Sequence, residues 1–560
     1  MDVLPDALEQ LTARLEALER RVLTLEAVEQ SSAAPATPAF AVAPIAAERT
    51  SHALGGGFFP VLSKALMGIA GAYFLRAVAE SGVLPRPLIA AIAIVYALLW
   101  LVAAARIPAE AWFASTVYAA TSAMILAPML WELTLSFKVL STPGAAAILG
   151  VFAIAATALA WKQDRSPVYW VVNATAAVAA LALSVATHDL LPFLGTILLM
   201  ALIAEIAAGR EHHRSLRLLA AAAADLAVWA LIFIYASPQS ARQEYPLLDA
   251  VRLILPGCLL FLIYAVSIVT RCAKQGRKIS IFETSQAIAA FLLAASSVLF
   301  FAPNRGAIIL GALCLLISLG SYTVAFLLFG KDAEARNFHI FSLWAASLLL
   351  VGSNLILPSD WLPVGLSLAA IAASLPILRP AINMQGLAFL LAAAFTSGLF
   401  HFISDALAGS LSAGISWNIF LVSACMIACY AMSVSGSRMS KARQWINQIT
   451  SALATGESLA LLVTGLMRLI TPFLAREAHP VALMRTIVLC MGALALAWIS
   501  SAWRRIELTR LAYVMLGVIA MKLLLQDLPL GNLGSISASI FMLAIALIAV
   551  PRLARRKERA

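Results

Sequence analysis

Charged residues are scarce in this sequence: Asp, Glu, Lys and Arg together make up 12% of its 560 residues. Soluble globular domains carry about 25% charged residues and about 45–50% apolar ones, whereas 62% of the residues here are hydrophobic. A chain this long and this poor in charge cannot cover a surface that faces water. The composition therefore excludes an ordinary soluble protein and predicts an integral membrane protein.

The sequence also lacks the short motifs that mark common catalytic sites. It contains no P-loop, no HExxH, no GxSxG and no dinucleotide-binding fingerprint. The longest predicted outer connections between apolar segments, near residues 237–250 and 471–481, hold about a dozen residues each, which is too short for a catalytic domain. We therefore predict no catalytic residue, cofactor or metal site, and we favour a protein that is not an enzyme.

Cysteine and histidine are rare and are placed where they suggest no metal site. Cys425 and Cys429 share a helix face, but free cysteine used as a small apolar residue explains them better than a metal pair does. The adjacent histidines of REHHR at 210–214 would diverge by about 100° on a helix, which makes them a poor metal pair. A solvated loop explains this segment better. No disulfide framework is expected, because the cysteines all lie within or beside apolar segments. The six are Cys258, Cys272, Cys314, Cys425, Cys429 and Cys490.

Basic residues outnumber acidic ones, 39 to 28, but their placement indicates membrane topology and not nucleic-acid binding. Eighteen apolar segments follow Phe58, each long enough to cross a bilayer. If the N-terminus is cytoplasmic, 24 Lys and Arg fall on the cytoplasmic side and 8 on the other. This bias predicts that both termini are cytoplasmic. The acidic N-terminus does not have the form of a cleavable signal peptide, so we expect the first span to serve as its own signal and anchor. The predicted spans are 60–79, 88–105, 111–131, 144–161, 168–186, 190–208, 216–236, 251–270, 281–301, 307–329, 338–357, 361–378, 385–404, 416–434, 451–470, 482–502, 508–528 and 533–551.

The N-terminal residues 1–30 carry a heptad repeat that predicts a short coiled coil. Arg14 and Arg21 fall at g positions, and Glu19 and Glu26 fall at the e positions that pair with them between parallel helices. The alternative is a lone amphipathic helix. A coiled coil would make the protein a homo-oligomer, with dimer and trimer both open. The seam residues are Leu4, Leu8, Leu11, Leu15, Leu18, Val22 and Leu25.

Three further regions follow the coiled coil. Residues 31–57 are rich in Ala, Pro, Ser and Gly and lack periodicity, which predicts a disordered tether. Residues 58–552 form the multi-pass transmembrane domain, and residues 553–560 form a basic cytoplasmic tail. The predicted fold class is all-α: a polytopic integral membrane protein with about 18 transmembrane helices and a short N-terminal coiled coil.

Charges inside membrane spans are costly and often functional, so they are the candidate polar sites. Asp225 lies near the middle of its span with no polar neighbour within a turn, which suggests that it is protonated or hydrogen-bonded to another helix. Glu457 lies in the inner third of its span, and Glu205 and Glu283 lie near cytoplasmic ends. The candidate sites are Arg76, Glu80, Asp225, Glu457, Lys522 and Asp527.

Arg76 and Lys522 are predicted at similar heights, about 22 Å from the cytoplasmic side at 1.5 Å per residue. Lys522 and Asp527 are five residues apart and would diverge by about 140° on an α-helix, which disfavours a pair within the helix. We therefore expect cross-pairing between helices, Arg76 with Asp527 and Lys522 with Glu80. Snorkelling of Lys522 towards water, or contact with a substrate or ion, are the alternatives.

The two ends of the membrane domain resemble a bacterial group of predicted membrane proteins, the domain of unknown function 2339. The stretches that carry the resemblance are GIAGAYFLRAVAESGVLPRPL and LAYVMLGVIAMKLLLQDLPLGNLGSISASIFMLAIALIAVPRLARR. The resemblance implies an N-terminal coiled coil, a low-complexity tether and many membrane helices, with Arg76, Lys522 and Asp527 as positions to test. It implies no activity. The chain differs where the family often has an arginine, between Leu533 and Ser537.

Three hypotheses for function follow from the sequence. The first is a self-associating protein of the bacterial inner membrane with a structural or envelope-associated role. The second is a transporter or flippase for an anionic or lipid-linked substrate, using Asp225 and the outer basic residues. The third is a membrane-embedded transferase, against which the short loops argue. The expected partners are the lipid bilayer and further copies of the chain, without nucleic acid; the substrate is not specified by the sequence.

Overall fold

The computed structural model describes twelve ranges of the chain. Every long element in them is an α-helix and no strand occurs there, which confirms the all-α prediction. The predicted coiled coil, the tether and tail residues 556–560 lie outside the described residues, as do positions 211–214 of REHHR. The described ranges are 58–81, 84–108, 111–163, 166–210, 217–329, 336–375, 377–408, 416–435, 441–470, 478–503, 505–530 and 533–555.

The described ranges contain nineteen helices of ten residues or more. The two helices that end at Trp131 and Lys522 each continue into a π-helical turn, Glu132–Ser136 and Leu523–Asp527, respectively. The nineteen helices are α1 Phe59–Ser81, α2 Arg86–Arg106, α3 Trp112–Trp131, α4 Thr142–Gln163, α5 Ser166–Ala186, α6 Leu190–Gly209, α7 Arg217–Ala236, α8 Ala250–Gln275, α9 Ile281–Phe301, α10 Arg305–Phe329, α11 Arg336–Ile356, α12 Leu362–Ala373, α13 Pro380–Thr396, α14 Leu399–Ala408, α15 Trp417–Ser435, α16 Lys441–Ile470, α17 Ala478–Trp503, α18 Ile506–Lys522 and α19 Leu533–Arg555.

Most of these helices have the length and composition of membrane spans. In the described ranges, 15 are long and apolar enough to cross a bilayer, or 16 if α13 and α14, which meet at a 57° bend, form one broken span. Two more apolar helices are shorter: α12 with 12 residues, and the apolar part of α15. The polytopic membrane fold is thus confirmed, whereas the count of eighteen spans stays a prediction.

Small residues bring neighbouring helices close together, as expected where lipid gives apolar helices little reason to associate. Gly311 of α10 faces Gly352 of α11, and a Cβ atom at Gly352 would lie 2.9 Å from the Gly311 carbonyl oxygen. Large apolar side chains such as Leu319 and Leu327 are exposed on the outside instead. The helices therefore pack through small residues and present large apolar residues to the bilayer.

Buried apolar side chains form three main clusters along the chain. The first joins α2 to α9, the second joins α8 to α16, and the third joins α16 to α19. Because α8 and α16 each contribute to two clusters, the core of the described helices is a series of linked parts.

The short helix α12 lies beside the longer α11 and leads back along it. It starts six residues after Ile356, the last residue of α11. At the other side of α12, the Arg379 guanidinium lies 4.3 Å from the ring centroid of Phe338, which is near the start of α11. The chain between residues 357 and 379 therefore covers the length of α11, although α12 itself has only 12 residues.

Candidate functional site

Lys522 lies at the centre of a buried polar cluster between α17 and the end of α18. Its Nζ atom donates hydrogen bonds to Asp527 Oδ1 at 2.7 Å, Thr486 Oγ1 at 2.6 Å and the Ala482 carbonyl oxygen at 3.0 Å. The side chains of Lys522 and Asp527 are 5% and 3% exposed. An ammonium group has three N–H donors, and all three are used here. This geometry is that of a buried pair and not of a snorkelling lysine.

The π turn explains why Lys522 and Asp527 meet on one helix. The backbone N–H of Leu528 donates to the carbonyl of Leu523, five residues earlier, so the helix is locally wider than an α-helix. Residues five apart then lie on the same face, and the 140° separation assumed for an α-helix does not apply. The predicted cross-pairing of Lys522 with Glu80 and of Asp527 with Arg76 is therefore not what the structure shows.

Thr486 and Arg485 of α17 complete this cluster. Thr486 Oγ1 donates to Asp527 Oδ2 at 2.7 Å, so both carboxylate oxygens of Asp527 have a partner. The buried Arg485 donates from Nη1 to the Leu407 carbonyl at 2.5 Å and interacts electrostatically with Asp527. Leu407 lies in the last turn of α14, where the unpaired carbonyl groups carry a partial negative charge that a cation stabilises. The cluster thereby holds the ends of α14, α17 and α18 together.

Arg76 forms a second pair at the other π turn. Its Nη1 atom lies 2.7 Å from Glu132 Oε1, and its Nε atom lies 3.1 Å from Glu80 Oε1. Glu132 opens the π turn that follows α3, in which the Phe137 N–H donates to the Glu132 carbonyl at 2.8 Å. The Arg76 side chain is 46% exposed. Both π turns therefore carry a carboxylate that pairs with a cation, and π turns are frequent at functional sites.

Asp225 and Glu457 are each hydrogen-bonded to a neutral side chain of another helix. Gln286 Nε2 of α9 donates to Asp225 Oδ1 at 2.8 Å, and Asp225 on α7 is half-buried. Ser423 Oγ of α15 donates to Glu457 Oε1, and Glu457 on α16 is buried. For Asp225, the expected bond to another helix is thus the one observed. These two carboxyl groups and the two π-turn pairs each have their own bonding partners.

A four-residue ionic network that the sequence did not single out joins α6, α7, α8 and α9. Arg217 contacts both oxygens of Glu205, at 2.8 and 3.0 Å, and also Glu283 Oε1 at 3.0 Å. Arg271 Nη1 lies 2.8 Å from Glu283 Oε1, and Arg271 Nη2 bonds to Glu205. We call Glu205, Arg217, Arg271 and Glu283 the charge cluster. Its side chains are 3–11% exposed.

Local sequence features place the charge cluster at the helix ends. Glu283 accepts from the Ser280 backbone N–H while Ser280 Oγ accepts from the Glu283 backbone N–H, which is a capping box at the start of α9. Ser267 Oγ donates to Glu205 Oε2 at 2.5 Å. The topology prediction counts Arg217 and Arg271 only as basic residues on the cytoplasmic side. The sequence does contain a signal for this network: residues of opposite charge lie at the cytoplasmic ends of four consecutive predicted spans.

The described residues offer no obvious metal site. No group of three or more His, Cys, Asp or Glu side chains within them is arranged to hold a metal ion. Cys425 Sγ and Cys429 Sγ lie 3.9 Å apart in the buried core of the second apolar cluster. The polar groups described above bind one another across helices.

Comparison with known protein families, with curated proteins and with solved structures gives no match to this chain. The resemblance to the domain of unknown function 2339 stays a prediction.

Proposed function

We propose that this protein is a self-associating, multi-pass protein of the bacterial inner membrane with a structural or envelope-associated role. One observation carries the proposal: Lys522, one of the candidate polar sites, is buried, and all three of its N–H donors are hydrogen-bonded within the protein. A cation that binds a substrate must be reachable and must have a donor to spare. A buried pair that joins helices instead suits a role in holding the fold.

Complementation with a charge-free variant tests the structural role. In a strain that lacks the gene, we would compare Lys522→Met with the double variant Lys522→Met/Asp527→Leu, after matching protein levels. If the pair is structural, the double variant restores the wild-type envelope phenotype, because neither buried charge is left alone. If the double variant folds but fails to complement, Lys522 acts beyond structure, and the proposal in this form is wrong.

The proposed topology has eighteen spans with both termini cytoplasmic. The return of the chain along α11, marked by the contact of Arg379 with Phe338, supports counting α12 and its connection as a full crossing. The contact of Arg485 with the Leu407 carbonyl also supports the alternating direction of the eighteen spans. It joins the C-terminal end of α14 to the N-terminal part of α17, which eighteen alternating spans place on the same side.

Self-association is proposed to occur through the coiled coil of residues 1–30, on the basis of the heptad pattern and of the resemblance to the domain of unknown function 2339. Cross-linking of the detergent-solubilised protein, with and without residues 1–30, tests this. We expect less cross-linked oligomer for the shortened chain. An unchanged oligomer would place the association in the membrane domain.

A second candidate function, a transporter or flippase for an anionic or lipid-linked substrate, is favoured by the broken helix α13–α14. The two helices meet at 57° next to Gly398, whose φ is +79°, and broken helices often form the binding sites of transporters. Asp225 is the candidate proton carrier. A membrane-embedded transferase is the third proposal, and the described residues add no support for it.

Asp225→Asn distinguishes transport from a structural role. Asparagine retains an oxygen that can accept from Gln286 but cannot titrate at physiological pH. A proton-linked transporter would lose complementation with this variant at normal protein levels, whereas a structural protein would keep it. Gln286→Leu is the matched variant that removes the hydrogen bond and leaves the carboxyl group.

A further inference from the structure

We propose that the groove between α6 and α8 binds one anionic phospholipid, with its phosphate at the basic residues beside the charge cluster and an acyl chain along the groove. The groove is a cavity of about 780 Å³. A smaller cavity of about 390 Å³ lies at the helix ends. Arg271 lines both cavities, so the polar and apolar parts of the proposed site adjoin.

The apolar part of the groove faces the bilayer. It is lined by Leu199, Leu202 and Ile206 of α6, which are 36–44% exposed, and by residues of α8 such as Leu259 and Leu262, which are 40–55% exposed. On each side the lining residues span 12 steps of the chain, from 198 to 210 at α6 and from 259 to 271 at α8. Twelve steps of an α-helix rise about 18 Å, which exceeds half of the roughly 30 Å thickness of the hydrocarbon core. The groove therefore has the length of one lipid leaflet.

The polar part of the site carries excess positive charge. The two arginines and two glutamates of the charge cluster balance one another. Arg210 borders the large cavity, and Arg277 and Lys278 border the small one. The lining of the two cavities thus includes five cationic side chains and two carboxylates. The phosphate of a lipid in this groove would lie against cationic side chains, and its acyl chain would lie against leucine side chains.

This combination selects an anionic lipid over other occupants. Basic pockets between transmembrane helices bind anionic lipid headgroups, and a zwitterionic lipid would bring its own positive charge to the excess. A free phosphate would use the basic end and leave the apolar groove without a partner. A helix from a second copy would cover the groove without needing the basic end. The charge and the groove together therefore favour a lipid.

Native mass spectrometry of the full chain in detergent tests the proposal, with phosphatidylglycerol and phosphatidylcholine of identical acyl chains as probes. Two variants address the two parts of the site: Arg210→Gln/Lys278→Gln at the polar end, and Leu202→Trp in the groove. Their matched controls are Arg106→Gln, an exposed arginine at the end of α2, and Leu99→Trp, an exposed leucine of α2.

We expect one phosphatidylglycerol to bind, more tightly than phosphatidylcholine. Removing two cations should weaken its binding about 25-fold, at roughly fivefold per basic residue near the surface. Leu202→Trp should remove the binding, and both controls should bind like the wild type. Gel filtration confirms that each variant is folded.

Three results would overturn the proposal. Equal binding of the two lipids would show that charge does not select the occupant. Binding of glycerol phosphate with the strength of the lipid, unchanged in Leu202→Trp, would assign the basic end to a soluble phosphate. A Leu202→Trp protein that keeps its lipid but changes its oligomeric mass would assign the groove to a second copy.

Discussion

Lys522 and Asp527 form a buried ion pair with an Nζ–Oδ1 distance of 2.7 Å, although five residues separate them in one helix. The π turn makes this contact possible, and Thr486 bonds to both partners. Removing one member of a buried pair leaves the other charge without a partner, which costs more than removing both. This asymmetry makes the cluster open to direct test.

Lys522→Met should destabilise the protein by about 3–5 kcal/mol, because Asp527 would stay buried without its cation. The double variant Lys522→Met/Asp527→Leu should recover most of that loss. Thermal unfolding followed by gel filtration measures both variants, with Lys64→Met of the exposed Lys64 in α1 as the control. Equal melting temperatures for the single variant and the wild type would contradict a stabilising pair.

Deleting one residue from the π turn should preserve the pair, because it changes the spacing of the two charges from five residues to four. Deletion of Leu524, which is exposed, would return the turn to α geometry, in which residues four apart are separated by about 40° and stay on one face. We expect a smaller loss of thermal stability than for Lys522→Met. Deletion of Leu530 is the matched control, because it shortens the chain after the π turn and leaves the spacing of the pair unchanged. A Leu524 deletion as damaging as Lys522→Met would contradict this expectation and would show that the cluster needs the π turn itself.

Arg217→Met should destabilise the membrane domain more than any exposed arginine substitution does. Arg217 holds two carboxylates, Glu205 and Glu283, and its loss would leave excess negative charge buried between four helices. Arg252→Met is the control, because its 3.9 Å pair with Asp249 is exposed and such pairs contribute little. The melting temperature in detergent checks the difference, and similar values for the two variants would contradict it.

The proposed crossing at α12 predicts that Asp360 and Ile377 lie on opposite sides of the membrane. Single cysteines at these positions, in a cysteine-free background, should react with a membrane-impermeant maleimide from opposite sides of oriented vesicles. Cysteines at Asn304 and Lys278, both exposed, mark the predicted outer and cytoplasmic sides. Labelling of both test positions from one side would make α12 re-entrant and would reduce the number of spans.

The helical, polytopic fold could be predicted because hydrophobic length alone indicates a membrane span. The apolar run at 60–79, for example, becomes α1, and the run at 88–105 becomes α2. Hydrophobicity does not report helix breaks, however. The run at 385–404 is predicted as one span, but the chain bends at Gly398, where a positive φ ends the regular geometry. The apolar run at 361–378 contains a helix of only 12 residues.

The polar contacts were harder to predict, because they depend on helix geometry and on which helices pack together. The periodicity of α18 gives no sign of its π turn, so the sequence predicts Lys522 and Asp527 on different faces. Arg217 and Arg271 lie at the ends of apolar runs, where a solvated loop and a buried pair have the same sequence pattern. Only the packing of α6 to α9 brings their guanidinium groups to the two glutamates.

The members of the charge cluster are synthesised at well-separated times. Arg217 follows Glu205 by 12 residues, but Arg271 follows it by 66. A ribosome that adds about 5–20 residues per second needs roughly 3–13 s for that interval. For most of this interval only one of the two arginines that contact Glu205 has been synthesised, and Glu283 follows later still. The ionic contacts among α6, α7, α8 and α9 can therefore be complete only after the first turn of α9 has been synthesised.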